Sequence, residues 1–170
     1  MNGKWIGAIL VLLCCGGCGF SVASSYRKEE KMYHDLIRIF TYMKTDLQYR
    51  LTTLPELCSY VGQGSFGCMG AVFKKFAEEL CAWTCPDTAS CLRAVLEKEG
   101  TLPLAVKNIL VELGEVLGRF DMEGQIQGLN MVKADCENAL NTLLMQREER
   151  IRGYQTLGLC AGAAIVVLFV

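Results

Sequence analysis

Charged residues are missing from both ends of this chain. No Asp, Glu, Lys or Arg occurs in residues 5–26 or in residues 153–170. The middle holds all 18 acidic residues and, apart from Lys4, all 17 basic residues. Because the two signs nearly balance there, the sequence lacks the basic surface that nucleic-acid-binding proteins use. We therefore predict no nucleic acid among the partners of this protein.

The residue patterns of most enzymes are also missing. The chain has one histidine, His34, and it contains no nucleophile elbow, no P-loop lysine and no paired-carboxylate motif. Residues 62–67 match G-x-G-x-x-G, but a phosphate-binding loop of that type follows a β-strand. Here the motif lies between two predicted helices. We predict that the protein is not an enzyme, with no catalytic residues, no cofactor, no metal and no small-molecule substrate.

Nor does the sequence show the strict alternation of apolar and polar residues that marks a half-buried strand. Apolar residues recur instead at spacings of three and four, which is typical of amphipathic helices. We predict an all-α fold, in which a helical bundle domain lies between an N-terminal and a C-terminal transmembrane helix. The expected helices cover about 33–54, 54–61, 72–85, 87–99, 103–120 and 121 onward, with a flexible glycine-rich break at 62–70.

The two uncharged ends are the candidate membrane spans. Apolar and small residues continue for roughly 19 positions after Lys4, and a helix of that length crosses a bilayer core of about 30 Å. The predicted domains are therefore 1–26, an N-terminal transmembrane helix; 27–152, a helical cytoplasmic domain; and 153–170, a C-terminal transmembrane helix. Gly158 and Gly162 form a G-x-x-x-G pair in the second span, which suits close packing of two membrane helices.

Basic residues flank both candidate spans on the side of the middle domain. They are Arg27, Lys28, Lys31 and Arg38 after the first span, and Arg147, Arg150 and Arg152 before the second. Because positive charge marks the cytoplasmic side of membrane spans, both flanks place the middle domain in the cytoplasm. We expect a two-pass protein of the cell membrane.

Two alternatives stay open at this point. Ser21-Val22-Ala23 suits a signal-peptide cleavage site, and six of the ten cysteines lie in the middle region, an even number that disulfides could pair. These features together would describe an extracytoplasmic assembly protein with a cleaved signal peptide. Separately, Cys81, Cys85 and Cys91 could bind zinc, although their spacing is irregular for a structural zinc site.

Local signals mark the starts of two helices. Thr53, Pro55 and Glu56 predict a capping box, with Thr53 as the N-cap and Glu56 bonding back to it. Asp121 predicts the N-cap of the last helix, and Gln125 follows one turn later. Gly118 just before them would allow the last two helices to approach closely.

These segments resemble the stage III sporulation protein AB family of endospore-forming bacteria. The resemblance rests on the start at Thr53-Leu54-Pro55-Glu56-Leu57 and on residues 117–125, where Leu117 and Gly118 are followed by Asp121 and Gln125 in an L-G-x-x-D-x-x-x-Q pattern. The entry into the second span, residues 154–162, is also similar. The likeness extends over essentially the full chain.

The resemblance implies a helical domain like the cytoplasmic domains of type II secretion F proteins. It also implies a scaffold or platform role in the stage III sporulation secretion-like channel complex between mother cell and forespore. The implied partners are a secretion-type ATPase, stage III sporulation protein AA, and other membrane subunits of the same complex. The implied location of the domain is the mother-cell cytoplasm.

Overall fold

A computed structural model describes residues 2–50, 52–64, 66–82, 85–117 and 121–169, and within these it describes the side chains of residues 24–147. Six α-helices and no strand occur in these ranges, so the all-α prediction is confirmed. The helices are α1 (Asn2–Tyr49), α2 (Leu54–Gln63), α3 (Gly67–Cys81), α4 (Thr88–Lys98), α5 (Leu104–Val116) and α6 (Met122–Phe169).

The chain divides into two compact units. Residues 31–140 form one, and residues 1–30 with 141–170 form the other. The larger unit contains the amphipathic part of α1, the four shorter helices and the first part of α6. It is the unit in which the candidate sites lie.

The core of the larger unit is formed by the apolar stripes that the spacing predicts. Its largest fully buried side chains are Tyr33, Leu36, Ile39, Phe40, Met43, Leu57, Met69, Phe73, Phe76, Leu92, Leu110 and Leu113. From α6 the same unit buries Leu129, Val132, Cys136 and Leu140. Tyr33 also meets α6 through its backbone carbonyl, which lies 3.7 Å from the Cys136 thiol. Burial of this apolar surface is the main force that orders short helices of this kind.

The predicted glycine-rich break is shorter in the structure than the sequence suggests. Gly62 lies inside α2 and Gly70 inside α3, so only residues 64–66 separate the two helices. A Cβ on Gly62 would lie 2.8 Å from the Cα of Lys74, and a Cβ on Gly70 would lie 3.4 Å from the carbonyl oxygen of Gly64. These two glycines therefore let the backbones of α2 and α3 pack closely, and the prediction of a flexible break at 62–70 is wrong.

The first amphipathic helix also ends earlier than predicted. α1 stops at Tyr49, and Leu54 begins α2 instead of continuing α1. Thr53 has an extended backbone, with φ −64° and ψ 146°. Pro55 lies in the first turn of α2, where its missing amide has no intrahelical partner to lose, so proline is tolerated at this helix start.

Ion pairs join α3 to α4 on the surface of the larger unit. Lys98 Nζ lies 2.8 Å from Glu79 Oε1, and Lys75 pairs with Glu99 just after α4. In the smaller unit, Arg147 Nη1 donates to Glu30 Oε2 at 2.9 Å. Each of these pairs is partly exposed, so their contribution to stability is small.

No helix in the part of the chain that the structure describes is long and apolar enough to cross a membrane. The predicted spans, 1–26 and 153–170, lie almost entirely outside the range in which side chains are described, and so do Gly158 and Gly162. The two spans stay a prediction.

Candidate partner-binding site

The start of α6 contains the cap that the sequence predicts. Asp121 lies directly before the helix, and its Oδ1 accepts a hydrogen bond from the backbone amide of Gly124 at 3.0 Å. The amide of Gln125 donates to the Asp121 carbonyl at 2.9 Å, which is the first backbone bond of the helix. The side chain of Asp121 therefore satisfies one of the amides that a helix start leaves unpaired.

Leu117 is the C-cap residue of α5 and lies four positions before Asp121 in the sequence. It is buried, and its amide donates to the Leu113 carbonyl at 3.0 Å. Leu117 also lines a cavity of about 600 Å³ between the end of α5 and the start of α4. An ion pair of 2.6 Å between Arg93 and Glu115 crosses the side of this cavity. Gly118, the remaining residue of the predicted motif, lies outside the described residues.

A close approach of α5 and α6 occurs at Gly128, which the sequence analysis missed. A Cβ on Gly128 would lie 2.4 Å from Val116 Cγ1, so no larger residue fits without moving Val116. Gly114 similarly brings α5 near α4, because its Cβ would lie 3.2 Å from the Cα of Ala89. The sequence signal for these contacts is a glycine inside an otherwise regular helical pattern. Glycine destabilises a helix interior, so its presence there indicates close packing against another element.

The capping box at the start of α2 does not form. Thr53 occupies the N-cap position and its carbonyl accepts from the Leu57 amide at 2.9 Å, but its side chain makes no capping hydrogen bond. Glu56 points instead towards Tyr60, whose hydroxyl lies 3.4 Å from Glu56 Oε1. A Glu56 side chain that lies near Tyr60 does not bond back to the Thr53 amide, which is one of the two hydrogen bonds of a capping box. The residue at which α2 starts is correctly predicted, but the predicted capping hydrogen bonds do not form.

The cysteines of the middle region are free thiols. Cys58, Cys91 and Cys136 are buried, whereas Cys68 and Cys81 are exposed. Burial raises the pKa of Cys58 and of Cys136 to about 12. The pKa of Cys91 is raised to about 11, first by burial and then by the neighbouring thiol of Cys85. Thiols with raised pKa values are poor nucleophiles and poor metal ligands.

The zinc hypothesis gains no support from the arrangement of these thiols. Among the described residues, no group of three or more His, Cys, Asp or Glu side chains is placed to hold a metal ion. His34 is exposed on α1.

Two buried carboxylates on α1 were missed by the sequence analysis. Asp35 is 6% exposed and Asp46 is 3% exposed. Both lie within the apolar stripe of α1, Asp35 directly before buried Leu36 and Asp46 three positions after buried Met43. This position in the helical repeat was the signal that could have identified them.

Asp35 faces the first residue of α3. Its Oδ2 would lie 3.4 Å from a Cβ on Gly67, and Gly67 has φ +56°, a conformation that glycine adopts without strain. Arg38, one turn further along α1, places its guanidinium 5.4 Å from the ring centre of Phe66. The positive end of the α3 dipole therefore lies beside the Asp35 carboxylate, where it favours negative charge.

Asp46 has no comparable support. Its Oδ2 is buried and has no hydrogen-bond partner among the described residues. Its Oδ1 lies 3.9 Å from Nη1 of Arg50, which is longer than a hydrogen bond. Asp46 is one of the described residues around a small cavity near the end of α1, together with Tyr42, Thr45, Tyr49 and Arg50.

Comparison with known proteins assigns the chain to a family. The family model of stage III sporulation protein AB matches residues 4–170. A solved structure of stage III sporulation protein AB is similar with a TM-score of 0.62 and 14% sequence identity, over 72% of this chain and 98% of the other. At that identity the structural likeness shows the fold alone, and no curated protein sequence matches this chain. Because the family model matches nearly the whole sequence, the chain belongs to the stage III sporulation protein AB family.

Proposed function

We propose that this protein is a membrane-anchored scaffold or platform subunit of the stage III sporulation secretion-like channel complex between mother cell and forespore. Its helical domain lies in the mother-cell cytoplasm and docks a secretion-type ATPase, stage III sporulation protein AA. Its terminal spans bind other membrane subunits of the same complex. Membership of the family already gives the chain a role in sporulation.

One observation carries this proposal. The family match runs over residues 4–170, so it includes both uncharged ends as well as the helical domain between them. A helical domain between two uncharged, apolar ends fits a protein held in a membrane at both termini. The basic residues beside each end support a cytoplasmic domain, since positive charge is retained on that side.

The packing of the last two helices suits the platform role. The cap at Asp121 and the close packing at Gly128 hold α5 and α6 in a fixed arrangement, and a rigid element suits a platform. The described thiols with raised pKa values are not prepared for nucleophilic chemistry.

The test uses Cys68, which is exposed in the first turn of α3. The full chain is expressed in sporulating cells with Cys14, Cys15, Cys18, Cys81, Cys85 and Cys160 replaced by Ala, so that the three buried thiols are kept. Intact cells are then treated with a membrane-impermeant maleimide. We expect Cys68 to be protected in intact cells and to react after lysis. The lysed material is finally mixed with purified stage III sporulation protein AA, which we expect to co-purify with the full chain.

A matched variant separates labelling of Cys68 from background. Cys68→Ala in the same chain should remain unlabelled before and after lysis, because Cys58, Cys91 and Cys136 are buried. Labelling of Cys68 in intact cells would place the domain outside the cytoplasm and exclude direct contact with a cytoplasmic ATPase. That result would favour the extracytoplasmic protein with a cleaved signal peptide, which a shortened mature N-terminus would then identify.

A further inference from the structure

Two thiols at the start of α4 lie in contact with each other. Cys85 precedes the helix and is partly exposed, whereas Cys91 is the fourth residue of α4 and is 2% exposed. The Cys91 thiol forms hydrogen bonds with the thiol and with the backbone of Cys85. A disulfide requires two sulfur atoms that can approach each other, and this pair is in contact before any oxidation.

The backbone holds the two cysteines in different ways. The Cys91 amide donates to the Asp87 carbonyl at 3.1 Å, which is the first backbone bond of α4, and Leu92 beside it is fully buried. Cys85 lies outside the helix, directly before Pro86. Cys91 is therefore fixed by the packing of α4, while Cys85 presents its thiol to both Cys91 and the solvent.

Charged groups near the pair distinguish the two thiols. The pKa of Cys91 is raised to about 11 first by burial and then by Cys85, and the Glu79 carboxylate adds a smaller effect. The pKa of Lys98 is raised chiefly by its contact with Glu79 and, to a smaller degree, by Cys85. A cation thus lies near Cys85, whereas burial opposes negative charge on Cys91. Because exposed thiols near cations are the ones that react, Cys85 is the thiol that meets an oxidant first.

We propose that Cys85 and Cys91 form a reversible disulfide, which makes the start of α4 sensitive to oxidants. The oxidant is a low-molecular-weight disulfide, R–S–S–R. Cys85 attacks one of its sulfur atoms as the thiolate, the S–S bond of the reagent breaks, and the first RSH leaves with the proton of Cys85. Cys91 then attacks the Cys85 sulfur, the mixed disulfide breaks, and the second RSH leaves with the proton of Cys91.

This sequence of steps agrees with the burial of Cys91. The protein loses two electrons and two protons in total, and the reagent gains them. Cys91 needs no access to the reagent, because the sulfur atom that it attacks belongs to Cys85. Contact between the two residues offsets the low reactivity of a thiol with a raised pKa, since the attack occurs within one molecule.

The disulfide would change the surroundings of the largest cavity described above. It closes a ring of residues 85–91, and Pro86, Asp87 and Thr88 of that ring line the cavity of about 600 Å³ between α4 and α5. A crosslink restricts the conformations of the residues that it encloses. Oxidation therefore fixes this wall of the cavity, and reduction releases it. The proposal does not depend on the platform role, so its test requires no ATPase.

The experiment uses the purified full chain in detergent. Six cysteines are replaced by Ala, namely Cys14, Cys15, Cys18, Cys68, Cys81 and Cys160. The protein is equilibrated with mixtures of reduced and oxidised glutathione, quenched in acid and unfolded, and its free thiols are alkylated with N-ethylmaleimide. Intact mass then counts the thiols. Glu-C protease in phosphate buffer cuts after Glu and Asp, so it places Cys85 and Cys91 on separate peptides, 80–87 and 88–97.

We expect two thiols to be lost together and the two peptides to become linked. Dithiothreitol should restore both thiols. Cys58 and Cys136 in the same chain are the internal control, and they should stay reduced because they are buried. In Cys91→Ala, Cys85 should instead accumulate as the mixed disulfide with glutathione, because the resolving thiol is absent. When Cys81 is restored to the parent chain, Cys85 should still pair with Cys91.

Hydrogen exchange measures the effect of the disulfide on the fold. Amides of residues 88–92 should exchange at least about tenfold more slowly in the oxidised chain than in the reduced chain, because local opening at the start of α4 is restricted. Amides of residues 105–113 in α5 are the control and should exchange at the same rate in both states.

Four outcomes would overturn the proposal. The first is no linkage of the two peptides at any glutathione ratio, and the second is a glutathione adduct that persists on Cys85 while Cys91 is present. The third is pairing of Cys85 with Cys81 once Cys81 is restored. The fourth is equal exchange of residues 88–92 in the oxidised and reduced chains, which would show that the disulfide has no effect on the start of α4.

Discussion

Asp35 and Asp46 are two buried aspartates of the same helix, but their carboxylates have different surroundings. They lie eleven positions apart on α1, close to three turns, so both belong to the face that packs into the core. Asp35 faces the start of α3, where the helix dipole favours its charge. Asp46 lies beside a cavity, and its Oδ2 has no donor among the residues that the structure describes. Burial of a carboxylate therefore says little about its role until its surroundings are known.

Replacing each aspartate by asparagine should separate the two roles most clearly. Asp35→Asn is expected to lower the free energy of unfolding by about 1–2 kcal/mol, because a neutral amide loses the attraction to the start of α3. Asp46→Asn should cost little, since Asp46 Oδ2 has no hydrogen-bond partner among the described residues and Oδ1 lies 3.9 Å from the exposed Arg50 guanidinium. Urea unfolding of the purified full chain, followed by circular dichroism, measures both values.

High salt provides the control for this comparison. The loss in Asp35→Asn should persist in 1 M salt, because a buried charge is screened much less than an exposed one. Equal losses in the two variants would show that Asp46 has an internal partner and that the contrast between them is false.

Asp121 is exposed, but unlike Asp46 its carboxylate accepts a hydrogen bond within the fold. Asp121→Ala should lower the free energy of unfolding by about 1 kcal/mol, because the amide of Gly124 loses its acceptor. Asp87→Ala is the matched variant, since Asp87 occupies the N-cap of α4 without a side-chain capping bond and should cost less. An unchanged stability of Asp121→Ala together with lost binding to stage III sporulation protein AA would instead make the motif a partner contact.

Periodicity was sufficient to predict the helices but not their ends. The spacing of three and four correctly identified most of the buried residues of α1 and α6, among them Tyr33, Leu36, Phe40, Leu129 and Val132. Such spacing depends only on which face is buried, and that face is encoded locally. Asp121 was predictable for the same reason, because a cap bonds to an amide three residues away.

Features that depend on a second helix were not predictable. Gly62 and Gly70 looked like a flexible break, because the sequence does not show that the backbones of α2 and α3 meet there. Gly128 was missed because its contact, Val116, is on another helix. The surroundings of Asp35 and Asp46 are not encoded in the pattern of α1 either, and only the packing of α1 shows that one meets α3 and the other lies beside a cavity.

The surroundings of Glu112 disfavour its negative charge, whereas the surroundings of Asp35 favour it. Partial burial first, and then the charges of Asp135 and Glu115, raise the pKa of Glu112 above its ordinary value of 4.5. The folded state therefore holds the proton more tightly than the unfolded state, so stability falls as pH rises from 4.5 through the raised value. Glu112→Gln removes this loss and should be more stable at neutral pH by less than about 0.5 kcal/mol.

Urea unfolding at a series of pH values measures this smallest effect. The curves of the parent chain and of Glu112→Gln should separate as pH rises above 4.5 and then run parallel. Glu97→Gln, which removes an exposed charge on α4, controls for the change in net charge. If the parent and Glu112→Gln curves stay parallel throughout, the neighbours of Glu112 do not oppose its charge. In that case the contrast would hold only between the two buried aspartates. Neighbouring groups would then affect the energy of a charged carboxylate only where that carboxylate is buried.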